Sequence, residues 1–328
     1  MGLDKYTTSR PTVDAAEEIL GKYFPVHNAG FVALKDYCGS DQCIEAAART
    51  SYSYGTRQKG DTRSLIRSLV RRSHTSPSEM VHMKFHMAMP IFVARQIVRH
   101  RMANLNEMSG RYSLMPMLFY RPTPEQVQAQ SKKDKQGRSD ALPDEVVSSF
   151  LEGLETKYDV SESGYKWATE NDIARELARI DLPLSTYTHW IWQIDGNNLF
   201  KTLSLRCDAH AQWETRQYFN VIAGMAKRLM PYAFEAWEDY QFYGCKMSRM
   251  EMGMLRTLLT NGDGSRRTSL CPLPDVLILP EVGLTSRTEV DEFYKKLYPA
   301  NPLNFDLDLS QAKSPEYFEE LYRKSAEG

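Results

Sequence analysis

Apolar and polar positions mark strands in the first third of the chain and mainly helices after residue 145. Gly30–Tyr37 (GFVALKDY) alternates and predicts a strand. Asp41 offers an N-cap for a short Ala-rich helix, Gln42–Arg49. Leu65, Ile66, Leu69 and Val70 have helical spacing in an otherwise Arg-rich helix over Thr62–Arg72. Val81–Met89 has period two: Val81, Met83, Phe85, Met87 and Met89 face one way, and His82, Lys84, His86 and Ala88 the other. Pro90 breaks that run and opens a helix from Ile91 to about Met102. Polar Asn104–Tyr112 reads as a loop, and the charged, turn-rich stretch Gln128–Asp144 as a mobile surface loop. Segments 145–169, 172–181, 184–195 and 197–205 carry helical spacing, as does the longer 210–230; Pro231 opens another helix to about Tyr243. Residues 261–287 are punctuated by Gly, Pro and Ser, and Pro315–Ala326 reads as a closing helix.

The chain has 328 residues, enough for a substantial core without a disulfide or metal staple. Lys and Arg (41) balance Asp and Glu (42), which argues against a coat for nucleic acid or membrane. The longest apolar run, Met87–Ala94, ends at Arg95, far short of the roughly 20 residues of a spanning helix. The N-terminal MGLDKYTTSR has no apolar h-region, so no signal peptide is expected. Cys38, Cys43, Cys207, Cys245 and Cys271 are scattered and form no CxxC pair, as expected of reduced thiols in a cytoplasmic protein.

The densest polar cluster is RQIVRHRMANLNEMSGR, Arg95–Arg111. On a helix Gln96, Arg99 and His100 share a face, with Arg101 on another, so two anionic ligands could be held on two sides. The apolar flank Ile91, Phe92, Val93, Ile97 and Val98 predicts a half-buried helix whose arginines need partners; a structural ion-pair network is the competing reading. Ser109-Gly110-Arg111 supplies a hydroxyl, an approachable backbone and a guanidinium fork, which are phosphate-binding parts. LRCDAHAQWETRQY (Leu205–Tyr218), ARELARIDLPL (Ala174–Leu184) and HTSPSE (His74–Glu79) are further clusters, each singly explicable as surface pairs or caps; Asp208 is expected to cap the helix that follows it. His82 and His86 resemble a metal pair, but on a strand they sit about 13 Å apart, which favours a structural role. The Met83, Met87 and Met89 stripe reads as core. The chain contains no GxGxxG, P-loop or GxSxG sequence.

Arg99-His100-Arg101, seven residues and then Ser109 resembles the signature of the flavin-dependent thymidylate synthases. NEMSGRYS, HTSPSE, FHMAMPIFVARQ, ARIDLPL and LRCDAHAQWETRQY extend the resemblance, in family order, over roughly residues 28–245. It implies a mixed α/β (α+β) fold, with an antiparallel-type sheet core flanked by long helices, and a homotetramer with active sites built from several subunits. It implies conversion of dUMP to dTMP, with methylenetetrahydrofolate giving the carbon and NADPH reducing a bound FAD. It places dUMP at Gln96, Arg99, Glu107, Ser109, Gly110, Arg111, Arg179 and Arg206. FAD is placed at Ser76, Glu79, Arg99, His100, Arg101, Glu107, Asn197, Lys201 and His210, and folate near His74. Relatives usually carry His, Arg or Asn where this chain has Asn197 and Lys201, and often an aromatic where it has Ser78.

The residues suit that chemistry. The Ser109 loop suits a nucleotide phosphate, and Arg206, the candidate catalytic residue, would stabilise negative charge at the uracil N3/O2 edge and make C5 more nucleophilic. No base is visible beside Ser109 in the sequence, so a binding role is expected rather than nucleophilic attack. The alternatives are a flavin- or nucleotide-binding module of the same fold without synthase activity, and a metal-dependent nucleotide hydrolase using His82, His86 and His100. Residues 1–245 are expected to form the catalytic domain and 246–328 a packing extension on the tetramer surface.

Overall fold

The computed structural model describes residues 10–51, 60–132, 137–259, 287–297 and 302–327. Its centre is a five-stranded antiparallel sheet, ordered β1-β2-β3-β7-β4. The strands are β1 (Tyr23–Val26), β2 (Gly30–Cys38), β3 (His82–Pro90), β4 (Ala103–Glu107) and β7 (Tyr187–Asp195); β5 (Gln128–Gln130) and β6 (Arg138–Ala141) form a separate hairpin. The helices are α1 (Asp14–Glu17), α2 (Asp41–Arg49), α3 (Thr62–Arg71), α4 (Ile91–Ile97), α5 (Asp144–Glu170), α6 (Arg175–Ala178), α7 (Gly196–Arg206), α8 (Trp213–Leu229), α9 (Pro231–Trp237), α10 (Arg249–Leu259), α11 (Arg287–Leu297) and α12 (Pro315–Glu327).

The period-two segment forms β3 as the pattern predicts, with Met83, Phe85, Met87 and Met89 fully buried. They face Ile194, Trp192, Trp190 and Thr188 of β7 in direct register. Phe219 of α8 meets Trp192 edge-on and covers this face of the sheet. The opposite face, at Tyr23, Phe31 and Ala33, is covered by Phe318, Leu321 and Tyr322 of α12. There His86 Nδ1 lies 3.0 Å from the Tyr23 hydroxyl and His86 Nε2 3.5 Å from His189.

Several local expectations change. Residues 184–195 are not helical: β7 buries Thr188, Trp190, Trp192 and Ile194 in alternation, but the unbroken Trp190-Ile191-Trp192 hides that period in the sequence. Its aromatic and β-branched content suits a strand. Asn104–Tyr112 is not all loop, because β4 pairs through Ala103–Glu107; as an edge strand with four exposed positions it needs no apolar stripe. The helix after Pro90 stops at Ile97, where the chain turns toward β4. The 172–181 helix shrinks to α6. The stretch Gln128–Asp144, expected as a mobile loop, contains the β5–β6 hairpin. Asp41 does not cap its own helix: Ser40 holds that position, and the buried Asp41 carboxylate accepts the backbone N–H groups of Tyr232 (2.7 Å) and Ala233 (3.0 Å) in the first turn of α9. Burial pushes its carboxyl up to about 6.

The chain divides into two compact units, one of residues 1–235 and 305–328 and one of 236–304. The division falls ten residues before the expected boundary at 245, and the terminal α12 belongs to the first unit. Within the second unit Met254 and Phe293 pack together, and buried Glu251 accepts from Lys296 at 2.6 Å. Residues 261–286 of the punctuated stretch lie outside the described residues.

Candidate active site

Arg206 is the last residue of α7, a helix capped by Asp195, whose carboxylate accepts from Asn198 N at 3.0 Å. Its half-buried guanidinium donates from Nε to His100 Nε2 at 2.9 Å and from Nη2 to the Gln96 carbonyl at 3.0 Å. Burial lowers the pKa of Arg206, and His100 is held down to about 4 by burial and by the Arg206 charge. His100 is thus a neutral acceptor that fixes the guanidinium plane. A cavity of about 630 Å³ opens beside them, lined by Gln96, Arg206, His210, Gln212 and, from the hairpin, Gln128 and Arg138. His210 stands on the rim, its backbone N–H and Nδ1 both on Asp208 Oδ1. Because α7 ends at Arg206, Arg206 and His210 are not neighbours on one helix; Asp208 turns back to His210 and leaves the N-cap of α8 to Gln212.

A second group surrounds Gly110. A side chain there would meet Met115 Sδ at 2.6 Å, Arg179 Cδ at 3.0 Å and Arg179 Nη1 at 3.2 Å, so any larger residue makes Met115 and Arg179 move away from the Ser109 loop. Met115 is held by the Tyr165 hydroxyl of α5, which accepts its backbone N–H at 2.9 Å. Ser109 Oγ accepts the Arg111 N–H at 3.3 Å. Arg111 pairs with Glu176 at 2.9 Å on the surface, and Glu107, ending β4, accepts from the Thr188 hydroxyl at 2.6 Å. The third group ties the 3-10 turn Ser76–Met80 to α7 through Asn197 Nδ2, which donates to Glu79 Oε1 at 3.1 Å. His74 and Ser76 are exposed at that turn. Among the described residues no hydrogen bond or ion pair links the three groups.

Arg99 and Arg101 differ from expectation. The helix ends before them, so they are not a two-faced pair on a half-buried helix; both are exposed. Neither has a carboxylate partner among the described residues, and nor has exposed Lys201. A flavin dinucleotide needs cations for its diphosphate that carboxylates have not already taken, and these three fit that need. Among the described residues no group of three or more His, Cys, Asp or Glu could hold a metal ion.

Sequence reasoning missed Glu214, Gln212, Arg138 and Tyr120. Glu214 is 1% exposed and accepts from Arg138, from Tyr120 (3.0 Å) and from Gln212 (2.9 Å). One signal was present: Glu214, Tyr218 and Ile222 follow one another at four-residue steps on the buried face of α8, and a carboxylate in such a stripe needs partners.

Residues 33–232 match the thymidylate synthase complementing protein family. A flavin-dependent thymidylate synthase of Treponema denticola is 44% identical over 245 residues, covering 74% of this chain and 92% of the relative. One from Dictyostelium discoideum is 44% identical over 240 residues, with coverages of 71% and 79%. A crystal structure of a UMP/dUMP methylase, PolB from Streptomyces cacaoi bound with 5-Br UMP, superposes with a TM-score of 0.59 at 31% identity, covering 66% of this chain and 96% of that one. The chain belongs to the thymidylate synthase complementing protein family, the family of the flavin-dependent thymidylate synthases.

Proposed function

We propose that this protein is a flavin-dependent thymidylate synthase that methylates dUMP to dTMP. The observation that carries this is Arg206, a half-buried guanidinium held by neutral His100 and by the Gln96 carbonyl at the edge of a 630 Å³ cavity. Such a cation, fixed before the ligand arrives, stabilises charge developing on a uracil N3/O2 edge and so activates C5. Ser109, Gly110, Arg111 and Arg179 supply the phosphate site: a hydroxyl, a glycine against which Arg179 closes, and two guanidinium groups, Arg111 exchanging its exposed Glu176 partner for the phosphate. Glu107 and Gln96 complete the nucleotide contacts, with Arg99 shared between substrate and cofactor. Ser109 binds rather than attacks, since no base hydrogen-bonds to its hydroxyl among the described residues.

Arg99, Arg101 and Lys201 would meet the FAD diphosphate, with His100, His210, Glu107, Ser76 and the Glu79–Asn197 pair around the rest of it and His74 near the folate. Bound FAD supplies a hydride after reduction by NADPH, and methylenetetrahydrofolate supplies the carbon. The three residue groups would join into complete sites between subunits of a homotetramer, with residues 1–245 carrying catalysis and 246–328 acting in packing. No helix among the described residues is long and apolar enough to cross a membrane, which is compatible with a cytoplasmic location.

The purified protein is expected to be yellow and to oxidise NADPH in the presence of dUMP and methylenetetrahydrofolate, with UMP as the parallel substrate. A yellow protein without nucleotide-dependent oxidation would be the binding module instead; a colourless, metal-containing protein active on nucleotides would be the hydrolase.

A further inference from the structure

We infer that Glu214 is a positioning residue that sets the polarity of the nucleotide-binding amide of Gln96, an inference that rests on the functional reading above. Gln212 connects them, in a run of four hydrogen bonds that ends at His100. Glu214 Oε2 accepts from Gln212 Nε2 at 2.9 Å, Gln212 Oε1 accepts from Gln96 Nε2, the backbone carbonyl of Gln96 accepts from Arg206 Nη2 at 3.0 Å, and Arg206 Nε donates to His100 at 2.9 Å.

A side-chain amide can turn over at little cost in shape, exchanging its donor and acceptor ends. An ionised carboxylate cannot, because it only accepts. Glu214 therefore compels Gln212 to present its NH2 inward and its oxygen to Gln96. Gln96 must then give its own NH2 to Gln212, which leaves Gln96 Oε1 unspent among the described residues. A cavity wall with an acceptor at that point matches an N–H or O–H of a nucleotide; with the amide reversed it would offer a donor and repel the same group.

The charge on Glu214 is secured from the other side. Burial is the largest single influence and works against it, but Arg138, the backbone N–H of Glu214 and the Gln212 amide together outweigh burial, so the carboxyl lies below its ordinary range. Arg138 belongs to the β5–β6 hairpin, and it lines the same cavity as Gln96 and Arg206. Docking of the hairpin and the polarity of the relay are thus coupled through one buried carboxylate.

The test is calorimetric titration of dUMP into the FAD-loaded protein, with Glu214→Gln, Gln212→Leu, Gln96→Ala and the two double variants containing Gln96→Ala. Each single change is expected to weaken dUMP binding by up to about tenfold, the worth of one neutral hydrogen bond. Each double variant is expected to bind no more weakly than the worse of its singles, because all act through Gln96. A merely structural Glu214 would lower the melting temperature but leave this coupling absent. Gln212 is exposed, and if Glu214→Gln does not fold, unchanged dUMP affinity in the leucine variant by itself overturns the inference. Unchanged affinity in the Gln212 and Glu214 variants, or losses that multiply in the doubles, overturns the inference. Wild-type protein that binds no dUMP overturns the functional reading itself, and the inference with it.

Discussion

Arg206 gives its Nε proton to His100 Nε2 at 2.9 Å, and the bond requires an unprotonated acceptor nitrogen on the histidine. With His100 held down to about 4, the pair carries a single positive charge throughout the neutral range. Arg206→Lys cannot keep both this bond and the one to the Gln96 carbonyl, because an ammonium lacks the guanidinium fork. The rate of dTMP formation is expected to fall on the order of 10²-fold, as for loss of one preorganised donor. Single-turnover measurement with saturating dUMP checks it; a rate within twofold of wild type contradicts the assignment.

Gly110→Ala forces its new methyl against Met115 and Arg179. The phosphate site should open while Arg206 stays in place. KM for dUMP is therefore expected to rise at least tenfold with a smaller change in kcat, read from initial rates. A fall in kcat at unchanged KM would detach Arg179 from substrate binding.

Ser109→Ala removes a hydroxyl that accepts only the Arg111 N–H among the described residues. Measurable dTMP formation should survive. Complete loss of activity with FAD and dUMP binding intact would make Ser109 the nucleophile.

Phe318 of α12 packs 4.6 Å from Phe31 and 5.9 Å from Tyr23, ring centre to ring centre, and is 4% exposed. Phe318→Ala should cost about 3–5 kcal/mol, the usual range for an aromatic core truncation. Chemical denaturation of the purified protein measures it. A loss below about 1 kcal/mol would place α12 off the sheet, since that is less than the transfer of a buried aromatic alone.

His86 is held down to about 4 from an ordinary 6.5, by burial first and by His189 and Lys35 beside it. Between those values the unfolded chain takes up a proton that the folded chain refuses. The stability His86 contributes is therefore present above about pH 6.5 and is lost as pH falls through about 4. Asp41, raised by burial to about 6, acts with the opposite sign, so the readout is a difference between two proteins. The stability gap between wild type and His86→Gln should shrink from pH 7 to pH 4; a gap independent of pH would contradict the assignment.

The chemical motifs were more legible than the elements that carry them. Arg206, Ser109 and Arg179 stand out as polar residues in short, ordered motifs, and β3 declares itself by strict alternation. β7 did not, because Ile191 is apolar on the exposed face and breaks the period. The exposure of Arg99 and Arg101 was also hidden: the apolar flank through Val98 reads as a continuing helix, and only pairing of β4 with β7 ends it. Glu214 became visible only in three dimensions, since Arg138 and Tyr120 come to it from distant segments.

Arg206 and its cavity serve dUMP methylation in this reading of the site. Its most direct test is formation of dTMP from dUMP by the purified protein with FAD, NADPH and methylenetetrahydrofolate, beside the Arg206→Ala variant. Wild type is expected to form dTMP and the variant none above background, with FAD still bound and dUMP still binding weakly. Absence of dTMP from flavin-loaded wild type, or wild-type rates from the variant, would contradict it.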